Sequence, residues 1–493
     1  MKIEIPYIYF EEQDISDEEW ANTPLSVQRA FKKLWEEGER LRAQNNQSSR
    51  NSSIPPSKDR LQHKKPNRNK ASGLKRGGQP GHIGVTRPLV PVEQLSAPPL
   101  VLLPQDCLCG HHFDKDATVT GLPYRQQYIE VPPIKAVITE VQQQHCCCPD
   151  CGMVVRATLP AGMSTLTLGP NAQALVTYLT GQFHLSKRSV ATLMRCVFKV
   201  PISAASIIAV EQEVSAALAA PVAQAMATAQ ESTIKYVDES GWPQQRDSDP
   251  GMPQSTPLKK GWLWSMTIQG ATIYIIRRSR AQIVARELLG IKIGDDVEYD
   301  TVVVSDRHGA YNWLPLWARQ LCWAHLDRDF LAISERADPI AQRIGKELLS
   351  NVDKLWVIWH EYRDGVLTFT QLGTKLTPVR AQIDALLREG QSADKKTSAT
   401  CKKLRKVEPA LWTFLRVEGV EPTNNNAERS QRRGVCKRDR TFGTQTSKGS
   451  RYVERILTTV ATCHQQDKSA LVYLTEAIIA HLHGLPAPVL IST

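Results

Sequence analysis

Two aspartates close apolar, β-branched runs: Ile234-Lys-Tyr-Val ends at Asp238, and Thr301-Val-Val-Val-Ser ends at Asp306. In an α/β sheet, strand ends are where functional side chains gather. If the two strands are neighbours, their carboxylates meet at one edge. Bare carboxylates held close raise one another's pKa. A divalent cation removes that penalty, and an all-oxygen donor set suits Mg²⁺ or Mn²⁺. A third acid, Glu428, follows Asn424-Asn-Asn-Ala. Asparagines are natural N-caps, which puts Glu428 in or near a first helical turn, where the macrodipole favours its charge. Arg432 and Arg433 lie one turn on, so an ordinary Glu–Arg surface pair is the competing account of this acid. Three acids with divalent metal suit phosphodiester chemistry. Two ions about 3.5–4 Å apart stabilise the attacking and leaving oxygens of an in-line displacement. Water can attack first and a freed 3′-hydroxyl second, so one site serves cleavage and joining.

The charge balance points the same way. The 493 residues carry a formal net charge of +11 and a pI of about 9.1, which favours a polyanionic partner, nucleic acid before anionic membrane. Cations crowd the stretch after Glu428: Arg429, Arg432, Arg433, Lys437, Arg438, Arg440, Lys448, Arg451 and Arg455. Backbone amides, Ser and Thr lie among them. Such groups contact phosphates and position DNA without reading its sequence.

The elements that must position these residues fall into a multidomain α/β chain. Residues 1–46 include an amphipathic helix over 25–44, with Val27, Phe31, Leu34 and Leu41 near one stripe, either a coiled-coil arm or a helix docked on its own protein. Residues 47–99 form a basic linker or arm that is too poor in apolar residues to order itself. Its cations include Lys58, Arg60, Lys64, Lys65 and Arg87. Residues 100–162 are β-leaning, with strand composition at Tyr128-Ile-Glu-Val and Ala136-Val-Ile-Thr-Glu-Val. Residues 163–230 are helical, with Pro170 opening one helix and Ser186 and Ser203 capping two more, and they resemble a helix-turn-helix. Residues 231–330 read as α/β and 331–420 as polar and mostly helical, 421–470 carry Glu428 and its basic segment, and a tail follows at 471–493. Trp242, Trp262 and Trp264 read as sheet or core residues rather than base-stacking ones. No apolar run approaches the roughly 20 residues of a membrane span. Met1 to Glu12 lacks the basic start of a signal peptide. Eleven cysteines, three of them adjacent at Cys146–Cys148, fit reduced thiols and a cytoplasmic setting.

Asp238-Glu-Ser-Gly-Trp, Ser305-Asp-Arg-His-Gly-Ala-Tyr-Asn312, Leu321-Cys-Trp-Ala-His-Leu-Asp-Arg-Asp-Phe330 and Asn424-Asn-Asn-Ala-Glu-Arg429 resemble, in order and spacing, the transposases of the insertion sequence 66 family. Gln47-Ser-Ser-Arg-Asn-Ser-Ser-Ile-Pro-Pro-Ser57 and Gly77-Gly-Gln-Pro-Gly-His82 are similar to that family's N-terminal region. The resemblance implies a DDE transposase with an RNase H-like mixed-sheet core, split into 231–330 and 421–470 by a helical insertion at 331–420. Asp238, Asp306 and Glu428 would be its metal-binding catalytic acids, acting at the ends of a bacterial insertion sequence. It implies double-stranded DNA as partner, at terminal inverted repeats and target. It also implies a dimer or larger assembly on DNA, with accessory proteins from the same element as further partners. Cys322 and His325 match a Cys-x-x-His element that many such enzymes carry after the second Asp. Alone they make half a zinc site and read as supporting the site. The remaining alternatives are a zinc-containing DNA-binding protein without catalysis and a hydrolytic nuclease of the same fold.

The cysteine module departs from the family's two Cys-x-x-Cys pairs. Cys148-Pro-Asp-Cys151-Gly is a sound zinc knuckle, but the earlier pair, Cys107-Leu-Cys109, is one residue short, with Asp106 before it and His111 and His112 after. A zinc-ribbon-like module with structural Zn²⁺ on Cys107, Cys109, Cys148 and Cys151 is the expectation, against a relic finger with unpaired thiols.

Overall fold

The computed structural model describes residues 20, 22–45, 87–244, 259–295 and 301–491. Most of the expected basic arm lies outside the described residues. Two compact units divide the chain, one of Lys64–Lys135 and one of the remainder.

In the smaller unit, the Gln127 side chain serves as a clip. Its Oε1 accepts from Val90 N at 2.9 Å, and its Nε2 donates to Val90 O at 2.7 Å. Cys107 and Gly110 close a turn, Gly110 N to Cys107 O at 2.9 Å, with Gly110 at φ +89°. The strand expected at Tyr128-Ile-Glu-Val does not form, nor does the one at 136–141 in the larger unit. Tyr128 and Val137 are exposed. Strand composition expresses itself only on a pleated, half-buried surface with a paired neighbour, and neither stretch has one among the described residues.

The larger unit begins with α1 (Leu25–Asn45). Phe31 of this helix packs edge-on against Trp20, while Val27, Leu34 and Leu41 stay exposed. A short ribbon, β1 (His145–Cys147) and β2 (Val154–Arg156), carries the Cys148–Cys151 turn between its strands. Four helices follow: α2 (Pro170–Gly181), α3 (Lys187–Val197), α4 (Ala204–Ala217) and α5 (Ala219–Glu231). Pro170 opens α2, and Ser186 and Ser203 cap α3 and α4 through their side chains, as the sequence predicts.

A five-stranded mixed sheet comes next: β3 (Ile234–Gln244), β4 (Lys259–Ile268), β5 (Ala271–Arg277), β6 (Val302–Ser305) and β7 (Arg319–Leu321), in the order β5-β4-β3-β6-β7. The first three strands form an antiparallel meander, its β4–β5 hairpin closed by Gln269-Gly270 with Gly270 at φ +78°; β6 and β7 run parallel to β3. Helix α6 (Gln282–Leu289) lies between β5 and β6. After β7 come α7 (Trp323–Ser334), α8 (Pro339–Arg363), α9 (Phe369–Glu389) and α10 (Lys395–Lys406), then α11 (Asn425–Thr441), α12 (Ser447–Gln465) and α13 (Ala470–Leu482).

Where β3 and β6 pair, strand alternation sends side chains into two different cores. Val237 and Val303 join the core built with α2 to α6, α12 and α13. Tyr236, Val302 and Val304 point the other way, into the core of α7 to α10. The insertion is therefore not an appendage, because its helices cover one face of β3 and β6. No single described helix is long and apolar enough to cross a membrane.

The α7–α8 contact sets a test of this packing. A Cβ on Gly345 of α8 would lie 2.3 Å from Ser334 N, whereas one on Gly373 of α9 meets nothing within 4 Å. Gly345→Ala should destabilise the chain by about 1–3 kcal/mol or more. Gly373→Ala should stabilise it by up to about 1 kcal/mol. Denaturant unfolding of the two variants checks the opposite signs.

Candidate active site

The two aspartates meet because β3 and β6 pair in parallel. Ile234, Lys235 and Tyr236 face Val302, Val303 and Val304, and the same register carried two residues on sets Asp238 opposite Asp306. β6 is buried along its whole length, and the chain leaves the sheet at Asp306. There His308 N donates to Asp306 Oδ1 at 2.8 Å, fixing the carboxylate at the strand end. The Asp238 and Asp306 side chains share the face of Tyr236, Val302 and Val304 by strand alternation.

Glu428 reaches this edge from far along the chain. Its helix is moored by a loop that bonds to β3 and to the start of α7. Glu421 N donates to Tyr236 Oη at 3.1 Å, and Pro422 O accepts from Trp323 N at 2.9 Å. Buried Asn424 is the junction: its N–H donates to Cys322 Sγ at 3.2 Å and its Nδ2 to Val237 O at 2.7 Å. The sequence reading makes these asparagines N-caps. Asn424 does occupy that position, but its side chain caps nothing and braces β3 instead. The brace fixes the helix start one residue from Asp238. Glu428 Oε1 then lies 3.1 Å from His325 Nε2. Ligand atoms of Cys322, His325 and Glu428 fall within 4.8 Å of one another.

Electrostatics mark the site as overcharged. Burial pushes the Asp238 carboxyl well above its ordinary range, and the charges of Glu239, Asp306 and Glu428 push it further. Burial and Asp306 raise Glu239 as well. Burial also works against ionising Glu428, but the His325 hydrogen bond and the charges of His325, Arg328 and Arg432 hold it below its usual value. A buried carboxylate crowded by further acids, as Asp238 is, suits a hard divalent cation.

Several site residues escape sequence reasoning. Glu239 is buried on the opposite face of β3 from Asp238. Its Oε1 accepts from Arg280 Nε at 2.9 Å and its Oε2 from Tyr311 Oη at 2.6 Å, with His308 Nδ1 3.5 Å away. An acid in the middle of a buried strand signals that a cation must lie opposite, but nothing local identifies Arg280. Arg307, next to Asp306, pairs with Asp329 of α7.

The cations after Glu428 separate into two faces. Arg429, Arg432, Arg440, Lys448 and Arg451 are exposed, while Arg433 and Arg438 are half-buried. Arg433 Nη1 donates to Gln182 Oε1 at 3.0 Å, and Arg438 Nη1 to Gly241 O at 2.7 Å. Lys437 corrects the expectation of a phosphate contact. It is buried, its Nζ donates to Thr180 O at 2.7 Å, and burial pulls its pKa down to about 8. Arg455 likewise turns inward, to Ser215 O at 2.6 Å.

The four cysteines expected to hold zinc fall in different units, Cys107 and Cys109 in the smaller and Cys148 and Cys151 in the larger. In the second turn, Gly152 N donates to Cys148 O at 2.9 Å. Backbone amides lower the Cys109 thiol, chiefly that of His111, and the Cys148 thiol, chiefly that of Cys151.

A family model described as the transposase IS66 family matches residues 166–452. That span holds the whole sheet, both aspartates, the helical insertion and Glu428. No curated protein matches the chain. With well over half of its 493 residues inside the match, the chain belongs to the IS66 family of transposases.

Proposed function

We propose that the chain cuts and joins DNA at the ends of a bacterial insertion sequence, with Asp238, Asp306 and Glu428 as the catalytic carboxylates of an RNase H-like core. The observation that carries this reading is the β3–β6 register, which aligns Asp238 with Asp306 while Asn424 braces the Glu428 helix against β3. The three carboxylates would hold Mg²⁺ or Mn²⁺. When bound, the metal stabilises charge on the attacking and leaving oxygens of an in-line displacement.

The chain's own residues then have separable tasks. His325 fixes one oxygen of Glu428 and keeps that acid ionised. Asn424 and Cys322 position the helix that carries it. Glu239, anchored by Arg280 and Tyr311, ties β3 to the segment after Asp306. Arg429, Arg432, Arg440, Lys448 and Arg451 offer charge to the phosphates that flank the scissile bond. The cysteine turns at Cys107–Cys109 and Cys148–Cys151 belong to this reading as places for structural zinc. Zinc content of the purified chain, lost in Cys148→Ser, is its check.

Asp238→Asn and Asp306→Asn should each lower Mg²⁺-dependent cleavage of the element's end duplex by about 10³-fold or more, while DNA binding persists. Cleavage that continues at the wild-type rate removes the catalytic assignment, and a wild-type chain that cuts but never joins a 3′ end to a second duplex is a nuclease. The two faces of α11 predict a second contrast. Arg432→Ala and Arg440→Ala should each reduce the salt dependence of DNA binding by about one unit of slope and leave thermal stability unchanged. Lys437→Ala should do the reverse. Binding isotherms at several salt concentrations, with melting curves, read both.

A further inference from the structure

Phe442 is the C-cap of α11 and stands in the left-handed region, at φ +57° and ψ +30°, and the residue is 76% exposed. That backbone conformation penalises a bulky Cβ-bearing residue and favours Gly or Asn. Folding offers no compensation here, because the ring buries little. A residue that costs stability and packs against little in its own fold points to a task outside it.

The loop holding Phe442 is rigid where it meets the sheet. Gly443, at φ +84°, passes so close to β3 that a Cβ would lie 2.0 Å from Pro243 O. Thr444 N donates to Pro243 O at 3.1 Å, and Trp242 Nε1 donates to Thr444 Oγ1 at 3.0 Å. Pro243 is five positions beyond Asp238 on the same strand, about 16 Å at ~3.3 Å per residue. The loop that carries the ring is thus fixed to the strand of the first carboxylate, beyond the level at which parallel β6 ends. Its neighbours in the chain are cationic: Arg438, whose carbonyl accepts from Phe442 N at 2.7 Å, exposed Arg440, and exposed Lys448 at the start of α12.

We propose that Phe442 is a nucleobase contact, stacking on or wedging beside a base of the bound DNA end a few base pairs from the cut bond. This rests on the DNA-cutting reading above. An aromatic face takes any base, and side chains inserted at a base step unstack it. Exposed Arg440 and Lys448 would hold the phosphates while the ring holds the base. A carbocycle at the tip of a left-handed turn, pinned through its neighbours to β3, is preorganised for this and loses little freedom on binding.

The test uses the full chain and the end duplex of its own element, with 2-aminopurine placed in turn at each position near the cut. Wild type should change the fluorescence at one position or two adjacent ones. Phe442→Ala should abolish that response and slow cleavage roughly 5- to 150-fold, the worth of one base–aromatic stack. Phe442→Trp should keep both. A mismatch at the responsive position, which removes the cost of unpairing, should restore much of the rate to Phe442→Ala. Phe442→Gly relieves the left-handed strain, so it should melt no earlier than wild type yet cut as slowly as Phe442→Ala, which excludes misfolding. If wild type binds and cuts the duplex while Phe442→Ala keeps both the fluorescence response and the rate, the base contact is refuted and the cutting reading stands. If Phe442→Ala loses self-association but keeps the fluorescence response, the ring serves a second copy of the chain and the base contact is refuted. A wild-type chain that binds no end duplex overturns the DNA reading and this one together.

Discussion

Crowding of like charge at one sheet edge is the constraint on which the rest of the structure depends. Burial, with the charges of Glu239, Asp306 and Glu428 added to it, holds the Asp238 carboxyl well above its usual range. A fold left to maximise stability would not gather them. Three devices keep them together: the parallel β3–β6 register, the His308 amide on Asp306, and the Asn424 brace that ties the Glu428 helix to β3. Each spends a backbone or side-chain hydrogen bond on holding a carboxylate near its rivals. That pattern is expected where cation binding, absent from the folding reaction itself, supplies the missing positive charge.

The same edge explains why the insertion and the basic helix are built as they are. Helices α7 to α10 cover the face of β3 and β6 that carries Tyr236, Val302 and Val304, and their first turn delivers Cys322 and His325 to Asn424 and Glu428. Helix α11 has to satisfy two demands at once. Its inner face locks into the helical region through Lys437 and Thr180, while its outer face keeps Arg429, Arg432 and Arg440 in solvent. A continuous basic run in sequence is therefore half structure and half surface.

Legibility in the sequence followed the range of the interactions. Asp238 and Asp306 were readable because each ends a local apolar run, and strand-end logic needs nothing else. The caps at Ser186 and Ser203 are equally local. Glu428 alone reads as a surface ion pair, and only its Asn-rich cap, basic surroundings and family motif together mark it as a third acid, because what fixes it is Asn424 reaching Val237 across 187 residues. Arg280 on Glu239 and Lys437 on Thr180 are contacts of the same kind, invisible to periodicity. Residues 128–131 and 136–141 failed in the opposite sense. Their β-propensity was clear, but propensity does not provide a partner strand.

The central claim is that the three carboxylates share divalent metal. Anomalous scattering from crystals soaked in Mn²⁺ tests it most directly. The account predicts a peak coordinated by carboxylate oxygens of Asp238 and Asp306, with Glu428 completing the site for a first or second ion, and no peak there in Asp306→Asn. Well-ordered carboxylates with no Mn²⁺ between them, or Mn²⁺ bound elsewhere in the chain, would contradict it.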